Sequence, residues 1–417
     1  MQKIMNSFLC VLAIIALCFF PGTYSVSQTV GEVLPSWTQG YLDIHFINTG
    51  KGEAAFYIFP DGTTMLVDAG ATNRPTPRVT DARPDNSRTP GEWITRYIQH
   101  MLPEQSSGKL NYALITHFHG DHMGEVTDAS PVSKNGSYQL SGITEVAEFV
   151  PLDHLIDRGY PEYDFPAPLG NETVTNYRQF VEFQQKHGMQ IERFEPGRND
   201  QIALQLQKER YPSFEVRNVA ANGEIWTGVA TNTRHHFPPL DDIPAEDQPS
   251  ENMCSIAFRL SYGNFDFFNG GDIPGIPDEG APLWHDVETP VARAVGPVEV
   301  NVLNHHGYID SENAFFLGAL RPRIHVIQVW SPSHPGSRVL SRLLSQQIYP
   351  GRRDIFATNM MVANKIVIGT RLDQLKSDQG HIVVRVEPGG ESFKIIILDD
   401  AAETLKAIAV HGPYQSR

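Results

Sequence analysis

Apolar and polar positions alternate over residues 41–47 (Y-L-D-I-H-F-I), which predicts a strand. Two more strands follow at 54–59 and 63–67, joined through Pro60-Asp61-Gly62 as a hairpin. Thr89-Pro90-Gly91-Glu92 reads as a capping box with proline at the first helical position, and the helix after it carries Trp93, Ile94, Tyr97, Ile98, Met101 and Leu102 on one face. The unbroken apolar run Tyr112-Ala113-Leu114-Ile115 predicts a buried strand. A second helix is expected over 175–187, closed by Gly188. Short strands are expected at 202–206, 214–217 and 224–226, then a hairpin of 255–260 and 265–269 about Tyr262-Gly263-Asn264. Beyond it come a strand at 298–303, a helix capped by Ser311 and carrying Phe315, Phe316 and Leu320, and a strand at 324–329. A helix with Val339, Leu340, Leu343 and Leu344 and edge strands at 381–386 and 392–398 complete the pattern.

Composition narrows the class. With 417 residues, 41% of them apolar, the chain is long enough for one large folded domain or two ordinary ones. Its formal net charge of −15 disfavours strong sequence-blind nucleic-acid binding, which needs clustered Lys and Arg, without excluding an enzyme whose metals meet a phosphate. At the N-terminus, Lys3 precedes an apolar run over 8–20 that Pro21-Gly22 breaks, and small residues at Ser25 and Ser27 place a cleavage site before Gln28. Residues 1–27 are therefore expected to be a signal peptide, with an uncleaved anchor as the competing reading, and the mature chain to be periplasmic or secreted without stable membrane insertion. Cys10 and Cys18 fall in that segment, which leaves Cys254 unable to form an internal disulfide.

The chemistry gathers directly after the buried run, in Thr116-His117-Phe118-His119-Gly120-Asp121-His122. Three imidazoles and a carboxylate on one loop suit zinc, manganese or iron better than magnesium or calcium. Such ligands at a strand end can diverge around two metal ions about 3.5–4 Å apart. His154, His187, His235 and His236 are expected to be surface, packed or loop residues rather than ligands, and Arg74, Arg78, Arg83 and Arg88 of the loop over 71–88 to be solvated, with contact to an anionic substrate as the alternative.

The H-x-H-x-D-H stretch resembles the signature of the metallo-β-lactamase superfamily, and further matches from Leu42 to His334 are similar to the hydrolase domain of the ComEC-type competence proteins. The matches are Asn48-Thr49-Gly50-Lys51-Gly52-Glu53 leading to Asp68-Ala69-Gly70, the stretch from Glu251 to Leu260, Gly270-Gly271-Asp272, Asn304-His305-His306-Gly307, and Ser333-His334-Pro335. The resemblance implies an α/β (α+β) fold, a four-layer αββα sandwich over about 40–400, with an insertion over about 130–200 that could wall a pocket. It implies two divalent metal ions, Zn or Mn, with His117 and His119 on the first, Asp121, His122 and one of His305 and His306 on the second, and Asp272 bridging. His305 is preferred as that ligand, which leaves His306 to touch substrate or protonate a leaving group. Asp121, His306 and His334 are the candidate catalytic residues, and Asp68 is expected to orient ligands through hydrogen bonds. Many superfamily members carry a further histidine where this chain has Glu251 and Asn252, so the first metal either lacks a ligand or takes one from Glu251, Asn252 or a loop histidine. The expected reaction is hydrolysis by a metal-activated water, on a phosphodiester or related ester. Lactam, lactone or thioester hydrolysis is the rival enzyme reading and a non-catalytic metal-binding protein the third.

Overall fold

A computed structural model of the protein describes residues 28–75 and 77–417. The expected signal segment, with Cys10 and Cys18, lies outside the described residues. The chain opens with β1 (Leu42–Phe46), β2 (Ala55–Ile58) and β3 (Thr64–Val67), then α1 (Pro90–Met101), β4 (Leu110–Leu114), α2 (Gly120–Met123), α3 (Ile143–Phe149), β5 (Leu152–Asp157), α4 (Glu172–Lys186) and β6 (Gln190–Arg193). A second run holds β7 (Phe214–Ala221), β8 (Glu224–Trp226), β9 (Thr233–His235), β10 (Ala257–Tyr262), β11 (Phe265–Asn269), α5 (Glu288–Val295), β12 (Val300–Val302), α6 (Ala314–Leu320), β13 (Ile324–Ile327), α7 (Ser337–Leu343), β14 (Asp354–Ala357) and α8 (Val362–Ile368). The chain then returns through β15 (His381–Val386), β16 (Ser392–Leu398) and β17 (Ala407–Gln415).

One sheet has the order β17-β16-β15-β1-β2-β3-β4-β5-β6 and the other β14-β13-β12-β11-β10-β7-β8-β9. Both are mixed: β3 through β6 run parallel, as do β11 through β14. The two-residue period of a strand sorts its side chains between layers. In β2, Ala55 and Tyr57 pack between the sheets with Phe258, Leu260 and Phe267, whereas Phe56 and Ile58 join Ile94 and Ile98 of α1 on the outer face. Across the second sheet, Phe268 and Ile327 meet Val291 of α5, Leu317 of α6 and Leu340 of α7. The result is the four-layer αββα arrangement that the resemblance implies, with helices against both outer faces.

Local signals explain most elements and some departures. The capping box of α1 is present, with the Thr89 hydroxyl accepting from Glu92 N at 3.2 Å. Helix α4 starts three residues before the expected Thr175, because Asn171 caps it by accepting from Val174 N at 2.8 Å. Helix α6 is capped by Asn313 rather than Ser311, whose hydroxyl donates to Tyr308 O at 2.9 Å. The strand expected at 202–206 does not form. Ile202 and Leu204 are buried between the sheets, but Gln205 N donates to the Thr63 hydroxyl and Leu206 N to Asp61 Oδ2, each at 2.8 Å, so side chains replace the ladder. Residues 130–200, expected as an insertion, carry α3, β5, α4 and β6 and so supply two strands of the first sheet. Among the described residues no helix is long and apolar enough to cross a membrane.

One buried ion pair ties the first sheet together. Asp43 and Arg385 are cross-strand partners in β1 and β15, and the guanidinium reaches the carboxylate at 2.6 and 2.9 Å. Burial works to raise the Asp43 carboxyl, but Arg385 and His45 override it and hold it at about 2. Replacing Arg385 by Met strands that charge, and urea unfolding at neutral pH is expected to show a loss of about 3–5 kcal/mol. The folded value lies below the ordinary 3.8, so the pair stabilises fully above 3.8 and less as pH falls towards 2. The difference between wild type and variant is therefore expected to shrink across that window.

Candidate metal centre

The parallel halves of both sheets bring their carboxyl ends to one edge. The loops after β3 and β4 meet those after β11, β12 and β13 there, with Ile256 N donating to Thr116 O at 2.9 Å across the seam. From Leu114 the chain turns through His117 and His119 into the single turn of α2. Its outward carbonyls are held by the neighbouring loops: Glu53 N donates to Asp121 O (2.8 Å), Ala69 N to His122 O (2.6 Å) and Ala71 N to Gly120 O (2.9 Å). The approach is so close that a Cβ on Gly70 would stand 2.0 Å from Asp121 O. Asp68, in the left-handed region at φ 59°, accepts from Thr116 N at 2.8 Å and the Thr116 hydroxyl at 2.7 Å.

Asp272 is the centre of the arrangement. Its Oδ1 lies 3.2 Å from His122 Nε2 and 3.7 Å from His306 Nε2, and its Oδ2 lies 3.7 Å from His117 Nε2 and 3.8 Å from His305 Nε2. Asp121 Oδ2 is 3.2 Å from His306 Nε2, and His119 Nδ1 is 3.0 Å from His117 Nε2. Two sets of donors therefore share one carboxylate, His117 and His119 with one oxygen and His122, His306 and Glu53 about the other.

The far sides of the rings are tied down. His122 Nδ1 is 2.8 Å from Asp68 Oδ2, His305 Nδ1 is 2.8 Å from Asp310 Oδ1, and His306 Nδ1 is 3.2 Å from Gln328 O with Glu53 Oε2 at 3.5 Å. Each contact turns the remaining Nε2 towards Asp272, the way carboxylates orient histidines that bind metals. Burial works to lower His122, but Asp272 and Asp68 hold it well above the usual imidazole range, and burial raises the Glu53 carboxyl to about 7. Despite its charged neighbours, the buried Asp272 Oδ1 accepts no hydrogen bond. Nitrogen and carboxylate donors turned inward around an unbonded buried oxygen fit a divalent cation.

All the residues expected to hold metal meet at this edge, but the histidine pair divides differently. His306, not His305, stands with Asp121 and His122, while His305 lies on the His117 side of Asp272. Both residues are left-handed, at φ 48° and 53°, and that backbone sends successive rings to opposite sides of Asp272. His334 stacks on His306 at 4.7 Å between ring centroids and lines the cleft. Glu251 does not reach the cluster, for it accepts from Phe118 N at 2.7 Å and pairs with the buried Arg158. Asn252 Nδ2 instead lies 3.2 Å from His305 Nε2. His154 packs on Tyr112, His187 on Phe183, His236 lies 2.8 Å from Trp284 O, and His235 lines a separate cavity. Glu53 and Gln328 escaped the sequence reading. The acidic end of the glycine turn was the available signal for Glu53, whereas Gln328, which donates to Glu53 Oε1, had none.

No protein-family model matches the chain, and no curated protein does. Among solved structures it is similar to a Parabacteroides distasonis protein named as a metal-dependent hydrolase, at 14% identity, 77% of this chain, 99% of that one and a TM-score of 0.34. It is also similar to Zn(2+)-bound PqqB from Methylobacterium extorquens (10% identity, 68% and 88% covered, TM-score 0.33) and to the short form of human tRNase Z (10%, 68% and 91%, 0.32). Fold and side chains together define an αββα protein with two donor sets built around one carboxylate.

The glycine contact gives a direct check. Gly70→Ala pushes a methyl group into the carbonyl of Asp121, so elemental analysis is expected to show the bound metal lost. Chemical denaturation is expected to show destabilisation by about 3 kcal/mol.

Proposed function

We propose that the chain is a metal-dependent hydrolase of the metallo-β-lactamase type that cleaves a phosphodiester or related ester, exported to the periplasm or beyond. The observation that carries this reading is the placement of Asp272, with one carboxylate oxygen towards each set of histidines. His117, His119 and His305 would hold one divalent cation and Asp121, His122 and His306 the other, zinc or manganese by the softness of the donors. Bound there, such cations supply Lewis acidity and lower the pKa of water to near neutrality. The chain's own residues orient and shield. Asp68, Asp310 and the Gln328 carbonyl fix three of the rings, Phe118 and Trp330 form apolar cleft wall, and His334 beside His306 is the ring placed to meet substrate.

The cleft, of about 950 Å³, supports the choice of ester. Among the described residues that line it, Arg74 is the only arginine or lysine; it is exposed, as expected of that loop, and its guanidinium lies over the Trp330 ring at 4.8 Å. Glu125 and Glu172 line it as well. A single cation and an acidic lining favour a singly charged ester over a long polyanion.

Metal-reconstituted protein is expected to turn over bis-p-nitrophenyl phosphate faster than nitrocefin or a lactone, and both Asp272→Ala and His119→Ala to lose at least about a hundredfold in kcat/KM. Turnover of nitrocefin or the lactone alone would move the substrate class. No hydrolysis with zinc, manganese or iron would end the enzyme reading. Arg74→Ala is expected to raise KM for the phosphodiester about tenfold with kcat little changed, the signature of lost ground-state binding.

A further inference from the structure

At the opposite end of the sheets the chain concentrates positive charge. Arg323 stands just before β13, Arg352 and Arg353 lead into β14, Lys376 follows α8, and His411 belongs to β17. Together with Asp354 they line a cavity of about 380 Å³ at the seam where β14 and β17, the edge strands of the two sheets, approach. Arg323, Arg352 and Arg353 stand at the amino ends of β13 and β14, away from the carboxyl edge that carries the metal-type donors, and the cavity shares no lining residue with the cleft.

The charges in it are not balanced. Arg323, Arg352, Arg353 and Lys376 are four cations in a chain whose net charge is −15, and Asp354 is the one carboxylate that lines the cavity with them. That carboxylate is already engaged, accepting from the Tyr414 hydroxyl at 2.8 Å and standing 3.9 Å from Lys376 Nζ. Arg353 is fixed by donating to the carbonyls of Leu343 and Ser345 at 3.1 and 3.0 Å, neither of which neutralises it. Arg323 lies over the Tyr414 ring at 5.2 Å and donates to Gln415 O at 3.1 Å. Arg352 is exposed and makes no hydrogen bond or ion pair among the described residues. Guanidinium forks held in place without carboxylates match the geometry of a tetrahedral oxyanion, and like charges gathered this closely are relieved by one.

We propose that this cavity binds a small multivalent oxyanion of the phosphate class, at a site separate from the hydrolytic cleft. The cations close around one pocket instead of running as a stripe, which suits a compact anion better than a polymer.

The test uses the metal-loaded full chain and inorganic phosphate at constant ionic strength, with binding followed by calorimetry and thermal unfolding. Arg352→Ala/Lys376→Ala is the informative variant, since neither side chain holds backbone, whereas Arg353 does. Wild type is expected to bind phosphate saturably at this site and to gain thermal stability. The double variant is expected to bind at least about tenfold more weakly while its basal hydrolysis is unchanged. Equal phosphate affinity in the two proteins, or no saturable binding in wild type, would overturn the proposal. So would binding that survives in the double variant and disappears in Asp272→Ala, because the anion would then sit in the cleft. Phosphatidylglycerol vesicles form a separate arm: sedimentation with vesicles but no response to free phosphate would assign the charges to a lipid surface and overturn the proposal too.

Discussion

A carboxylate taken fully out of water must be met by positive charge or it will not stay ionised, and Asp272 imposes that demand on the whole edge of the molecule. Burial works to raise its pKa, yet His122, His306, His305 and His117 together hold it well below the usual carboxylate range. The four rings come from loops on two different sheets, so the demand can be met only where the parallel halves of both sheets end together. The αββα architecture is what makes that convergence possible. Its edge brings imidazoles 150 to 190 residues apart in sequence within 4 Å of one Asp272 oxygen or the other.

Holding the histidine pair in place demands strained backbone. Two successive non-glycine residues in the left-handed region cost on the order of 1–3 kcal/mol each. The structure offsets this beneath the turn with buried acids. Glu312 accepts from Asn304 N at 3.0 Å, and Glu288 accepts from Asn304 Nδ2 at 2.8 Å and from the backbone of Glu312 and Asn313 at 2.6 and 2.7 Å. Burial, and in Glu288 the neighbouring Glu312, push both carboxyls up, so the pair is not forced to carry two charges. His305 N, donating to Gly271 O at 3.0 Å, then locks this turn to the loop that bears Asp272.

What could be read from the sequence follows the range of each signal. The motif from His117 to His122 was legible because its spacing is local, and so was the capping box of α1. Asp272 and the histidine pair were legible through glycines that end strands. The division of His305 and His306 was not, because it depends on two positive φ values at residues that are not glycine. The contact of Arg74 with Trp330 was hidden in the same way, since it joins a polar loop to a strand end 256 residues away. β5, β6, β14 and β17 went unread where half-exposed or charged positions interrupt the alternation, as in Gln190–Arg193.

At the place where the resemblance leads one to expect another histidine, the chain has scaffolding instead. Glu251 stands there, and its carboxylate turns away from the metal-type donors to take the guanidinium of Arg158 and the amide of Phe118. Arg158 is fully buried, lies over the Phe118 ring at 4.9 Å and donates to Asn222 Oδ1 at 2.9 Å, so its charge is matched on several sides. Phe118 is the residue between His117 and His119. Its amide and its ring are thus both anchored, between an imidazole buried against Asp272 and one that lines the cleft. On the proposed reading the third nitrogen beside them comes from His305, which Asp310 orients from outside the cluster. A position where the resemblance implies a metal ligand thus holds the backbone between His117 and His119.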